Sequence, residues 1–171
     1  MIDTTTKTGP RRRLLVGVIA AVATVGVLTG CTVSGEAGAP QAEVAAYRAQ
    51  QAVKRQKANA LMSCLTIPMS MRQSVDVYNE MIRAFNASGG FDQNLVNKAV
   101  ERIDDDIAAL RTASNKDLPE DLKKQLGKMI VAREAQRGAV LSRNATAMNN
   151  AAREMNNERD GFTALCKTYI G

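Results

Sequence analysis

Residues 64–86 read CLTIPMSMRQSVDVYNEMIRAFN. Within them Met71, Val75, Tyr78, Ile82 and Phe85 recur at spacings of four, three, four and three. That period lines one face of an α-helix and is the clearest such stripe in the chain. It predicts a helix from about Met69 to Asn86, stopped by Ser88-Gly89-Gly90. Pro68 stands just before the stripe, and the residue preceding a proline avoids helical angles. The stretch therefore predicts a turn over Leu65–Pro68 and an earlier helix over about Gln41–Cys64. Ala45, Ala49, Ala52, Val53, Ala60 and Leu61 give that earlier helix a weak apolar face. Lys54, Arg55 and Lys57 form a basic cluster beside it, of the kind that normally stays solvated.

Working toward the C-terminus, Asp92 is placed to cap a helix over about Gln93–Ala113. Val96, Val100, Ile103, Ile107 and Leu110 line one of its faces, and Glu101 with Asp104-Asp105-Asp106 makes an acidic belt. Successive helical residues point about 100° apart, so these carboxylates do not converge on one metal. Their expected partners are Lys or Arg of a neighbouring helix. After a turn at Asn115–Leu118, Pro119 suits a first helical turn, and Glu120 and Asp121 suit its positive end. Leu122, Leu126, Met129, Ile130 and Val140 follow as an apolar set. Lys123, Lys124, Lys128, Arg133 and Arg137 make the other faces basic, a complement to the acidic belt.

Apolar periodicity continues through Ala145, Met148, Ala152, Met155, Phe162, Cys166 and Tyr169. One helix over 119–169 would be about 75 Å long, and no other segment could cover it. A break is expected within Ser142–Asn150, where Asn and Thr lower helix propensity. The expectation is all-α: an antiparallel bundle of about five helices with a four-helix-bundle-like core, spanning 41–171.

Composition narrows the chemistry. His is absent from all 171 residues, which excludes Ser-His-Asp and Cys-His catalysis and His-ligated haem or zinc. No Gly-rich phosphate loop is present. Neither catalytic residues nor a cofactor or metal site is expected, and the chain does not read as an enzyme. Aromatic residues are 4% and Trp is absent, so Ala-rich helices must pack over a thin core that a covalent staple would help.

The amino-terminal stretch 11–31, RRRLLVGVIAAVATVGVLTGC, has a different character. Three arginines precede an apolar run from Leu14 to Leu28, short of the roughly 20 residues a spanning helix needs. This is the pattern of a secretory leader. Its end, Leu28-Thr29-Gly30-Cys31, resembles the lipobox of bacterial lipoproteins. The resemblance implies cleavage between Gly30 and Cys31 and acylation of Cys31, diacylglyceryl on its thiol with further acyl on the new amino terminus. Two or more buried chains hold a protein to a bilayer where one is marginal. Residues 1–30 would then be a signal peptide that is removed, and 31–40 (CTVSGEAGAP) a lipidated flexible tether. Arg11-Arg12-Arg13-Leu14-Leu15 also resembles a twin-arginine export signal. The Ala- and Arg-rich composition has an actinobacterial cast.

With Cys31 lipidated, Cys64 and Cys166 remain, and an exported domain favours their pairing over two buried thiols. Such a bond requires the two residues at the same pole of the bundle. Five alternating helices satisfy that if Cys64 ends the first.

The leader also carries much of the formal charge of +6: beyond residue 30, 19 basic and 16 acidic residues remain. About +3 is an ordinary solubility charge and does not point to nucleic acid. The sequence thus predicts a lipoprotein on the extracytoplasmic face of the cell membrane, held by membrane lipid through Cys31. Its bundle would serve as a non-enzymatic interaction module for an envelope protein. The alternative is a carrier of lipid or a small molecule, with Met129, Met148 and Met155 lining an adaptable pocket. A third option, Cu(I) held by Met62, Cys64, Met69 and Met71, needs Cys64 reduced.

Overall fold

The computed structural model describes residues 40–170; the expected signal peptide, with Gly30 and Cys31, lies outside the described residues. Four helices follow one another: α1 (Gln41–Ser88), α2 (Gln93–Ser114), α3 (Glu120–Ser142) and α4 (Ala145–Ile170). They pack α1 on α2, α2 on α3, α3 on α4 and α4 back on α1, an up-down bundle.

The expected turn before Pro68 is absent, and the count is four helices where the sequence suggested about five: α1 runs unbroken through the proline. Pro68 has no N–H for the Cys64 carbonyl, and an interior proline costs ~3 kcal/mol or more. One buried seam runs through both halves of α1: Ala60, Ser63, Cys64 and Ile67 before Pro68, and Met71, Ser74, Tyr78 and Met81 after it. A turn would swing one half off the bundle. Burying Ile67 and Met71 alone contributes roughly 3–6 kcal/mol, enough to offset the proline. The seam is also rotated from the expected stripe, because Val75, Ile82 and Phe85 are only partly covered while Ser74 and Met81 are buried.

The other boundaries follow the sequence. Gly89 adopts φ 75° at the end of α1 and donates its N–H to Phe85 O at 2.8 Å. Asp92 Oδ1 accepts from the N–H groups of Asn94 (2.7 Å) and Leu95 (3.2 Å), capping α2. The break expected within Ser142–Asn150 falls at Arg143–Asn144. There Arg143 is left-handed (φ 51°) and donates to the Gln93 side chain, while Asn144 Oδ1 accepts from Ala147 N at 2.9 Å.

Cys64 and Cys166 form a disulfide, with 5.5 Å between α-carbons across a separation of 102 residues. The same-pole requirement survives the loss of one helix. Straightening α1 alters only what precedes Cys64; from Cys64 onward the chain still descends, ascends, descends and ascends.

At this pole Asp117, in the α2–α3 turn, accepts from Gln56 Nε2 (3.0 Å, Oδ1) and Asn59 Nδ2 (2.9 Å, main-chain O). The first buried residue of α1 is Ala60. Residues 41–54 therefore run past the bundle as an arm of about 21 Å.

Candidate functional site

Two carboxylates of the acidic belt meet arginines of α3, as the charge pattern predicted, and the three aspartates each take a different arginine. Asp104 pairs with Arg137 (2.6 Å), Asp105 with Arg102 of its own helix (3.2 Å) and Asp106 with Arg133 (2.7 Å). Among the described residues no three Cys, Asp or Glu side chains are grouped to hold a metal ion.

Arg133 and Asp106 are each 2% exposed. The Ser74 hydroxyl donates to Asp106 Oδ2 (2.5 Å) and accepts from Arg133 Nη2 (2.9 Å). Ser70 Oγ donates to Asp106 Oδ1 at 3.2 Å, and Arg133 Nη1 donates to Gln136 Oε1. This polar layer separates two apolar clusters, one around Leu110, Leu126, Met129 and Phe162, the other around Ile103, Val140, Met148 and Met81. Burial pulls the Arg133 guanidinium below its ordinary range, Asp106 pulls it back up, and the nearby positive charge of Arg159 lowers it again. A guanidinium has five N–H donors, and this layer uses three. Arg133 Nε has no partner among the described residues.

Arg133 and Gln136 form the floor of a cleft of about 300 Å³ between α1 and α4, which touch least of the adjacent helix pairs. Tyr78 and Asn79 wall it from α1, and Asn156 and Arg159 from α4. Met71, Val75 and Met155 supply an apolar side. Burial raises the Tyr78 phenol above its ordinary range, so it is a neutral donor, here to Met148 O at 3.2 Å. The cleft continues along the same seam past Arg72, Asp76 and Thr163 toward Pro68. Its size lies at the small end of ligand pockets.

Arg133 was legible as a charge partner of α2 but not as a buried one. A signal existed: Met129, Arg133, Gln136 and Val140 follow the spacing of one helix face, placing Arg133 and Gln136 on the core side. Of the methionines suggested to line a pocket, Met129 and Met148 are fully buried core filling, and only Met155 reaches the cleft. The sulfur cluster near Pro68 does not converge. Cys64 is in the disulfide, Met71 is buried, and Met62 and Met69 are 52% and 71% exposed.

A family model for the Rv2240c four-helix bundle domain matches residues 45–167, from within the arm to just past Cys166. No curated protein and no solved structure matches the chain significantly.

Proposed function

The chain belongs to the Rv2240c four-helix bundle domain family, and on that premise we propose a lipid-anchored protein of the bacterial cell envelope. Its bundle acts as a non-enzymatic interaction module on the extracytoplasmic face. The lipobox-like Leu28-Thr29-Gly30-Cys31 supplies the anchor, and no described helix is long and apolar enough to cross a membrane. The observation that carries the interaction role is the outer surface of α1. Tyr47 (63% exposed), Leu61, Met62, Leu65 and Met69 fall along one solvent-facing side. A stripe of this kind, longer than an isolated surface apolar residue, is typical of a contact surface. Cys31 lies ten residues before Gln41, so the arm is the described element nearest in sequence to the proposed anchor.

The test is cell fractionation of the full chain. Cys31→Ala is expected to abolish processing and membrane retention. Unchanged processing and retention would remove the anchor from this reading. For the interaction role, crosslinking in intact cells is expected to capture one envelope protein, with Leu65→Glu and Met69→Glu reducing capture. Equal capture by these variants counts against the α1 surface.

A second reading, carriage of a small molecule, is favoured by one feature, the α1–α4 cleft with Met71 and Met155 on its wall.

A further inference from the structure

We infer that the α1–α4 cleft binds a small amphipathic anion, its carboxylate or phosphate head between Arg133 and Arg159 and its short apolar tail against Met71, Val75 and Met155. The inference names the ligand class for the carrier reading and is independent of the membrane anchor.

Three observations carry it. First, Arg133 is held rigidly in the floor, nine-tenths buried and more, with Nε and one Nη1 hydrogen unused. Unmet buried donors are costly, and an oxyanion is the partner that satisfies a guanidinium best. Second, Arg159 faces the same cleft, and its ion pair among the described residues is a loose 3.7 Å contact with the adjacent Asp160. Arg133 is paired with Asp106, whereas Arg159 forms no ion pair with Asp76, the carboxylate that lines the continuation of the cleft, so its charge is the less compensated of the two. An anion supplies the counter-charge that Arg159 lacks. Third, the lining is divided: Gln136, Asn156 and the arginines provide the polar part, while the methionines and Val75 provide an apolar wall that a bare inorganic ion would leave unused. Methionine adapts to tails of varied shape.

The head chemistry is common to free acids and to lipid headgroups. A cleft of about 300 Å³ suits a small free acid better than a two-chain lipid.

The experiment uses the chain from Gln41 onward together with the full chain, titrated calorimetrically with octanoate, octanol and inorganic phosphate. Octanoate is expected to bind to both at one site, and octanol and phosphate to bind far more weakly. Arg159→Gln is expected to weaken octanoate about tenfold or more while leaving thermal stability unchanged or slightly raised, since a positive charge near Arg133 is removed. Val75→Trp, which fills the cleft without removing a charge, is expected to abolish binding. Octanol binding as tightly as octanoate, or Arg159→Gln binding like wild type, overturns the anion assignment while leaving an apolar carrier pocket. Absence of binding by all probes overturns both. Sedimentation of the Gln41 chain with phosphatidylglycerol vesicles, lost in Arg159→Gln, would assign the head to a membrane lipid and overturn the free-acid assignment.

Discussion

Arg133 Nη2 lies 2.7 Å from Asp106 Oδ2, and the pair crosses the bundle between its two apolar clusters. Taking both charges out of water costs several kcal/mol per ion, and their attraction repays it only with the help of Ser74 and Gln136. Removing one partner leaves a buried charge with no counterion. Asp106→Ala or Arg133→Met alone is expected to cost about 3–5 kcal/mol in urea unfolding. The double variant Asp106→Leu/Arg133→Met is expected to recover most of that loss. A single-variant loss below about 1 kcal/mol would show that water reaches the pair.

The disulfide and Pro68 are coupled through Cys64. The proline ring faces the carbonyl four residues back, which belongs to the residue tied to Cys166. Closing a loop of this length contributes up to about 4.7 kcal/mol in the chain-entropy model. Cys64→Ser/Cys166→Ser is expected to lower stability by about 2–5 kcal/mol, read from the denaturant midpoint. Pro68→Ala restores the missing donor and is expected to add about 1–2 kcal/mol, the helix gain being reduced by a freer unfolded chain.

Two glycines in similar helices should respond differently. A β-carbon on Gly138 meets nothing within 4 Å, so Gly138→Ala is expected to stabilise by about 0.5–1 kcal/mol. A β-carbon on Gly161 would stand 3.0 Å from Gln125 Nε2. Gln125 is buried and donates to both Glu158 O (2.8 Å) and Glu158 Oε2 (2.7 Å), so it cannot retreat freely. Gly161→Ala is therefore expected to give no gain or a loss. Equal midpoints for the two variants would contradict the close approach of α3 and α4 at this point.

The arm makes no contribution to the core. Deleting residues 41–54 keeps Gln56 and Asn59 on Asp117 and removes no buried side chain. The expected change in unfolding free energy is within about 0.5 kcal/mol. Partner capture, if it uses Tyr47, should fall while the fold is intact.

Tyr169 donates to Asp121 at 2.7 Å, tying the end of α4 to the start of α3. Burial, then the hydrogen bond to the carboxylate, raises its phenol to about 12. Because the folded value lies above the unfolded one near 10, the folded state keeps a proton that the unfolded state releases. The stabilisation is present below pH 10 and is lost between about pH 10 and 12. Subtracting the pH profile of Tyr169→Phe from that of the wild type should isolate a decline in this window and none at neutral pH.

Much of the bundle was legible from local signals. Asp92, Gly89 and the Asn-rich stretch near Arg143 mark ends whose causes lie within a few residues, and they fall where those residues indicate. Pro68 was misleading because its local preference against helix is real but smaller than the burial of Ile67 and Met71, which depends on distant partners. The seam of α1 was misjudged for a related reason. Ser74 looks like a surface residue until Asp106 and Arg133 arrive from two other helices. The cleft belongs to the same class, since it is made by residues about 80 positions apart, such as Val75 and Met155.

The position of the disulfide has a mechanical consequence. A pull applied between the start of α1 and the end of α4 travels along α1 to Cys64, crosses the sulfur bridge to Cys166, and leaves through the last turn of α4. The intervening segment, with both apolar clusters, the polar layer and the cleft, hangs off this path as an unloaded loop. A chain tethered at one end and gripped at the other would transmit tension through its covalent short cut, and the bundle would keep its shape without having to resist the force.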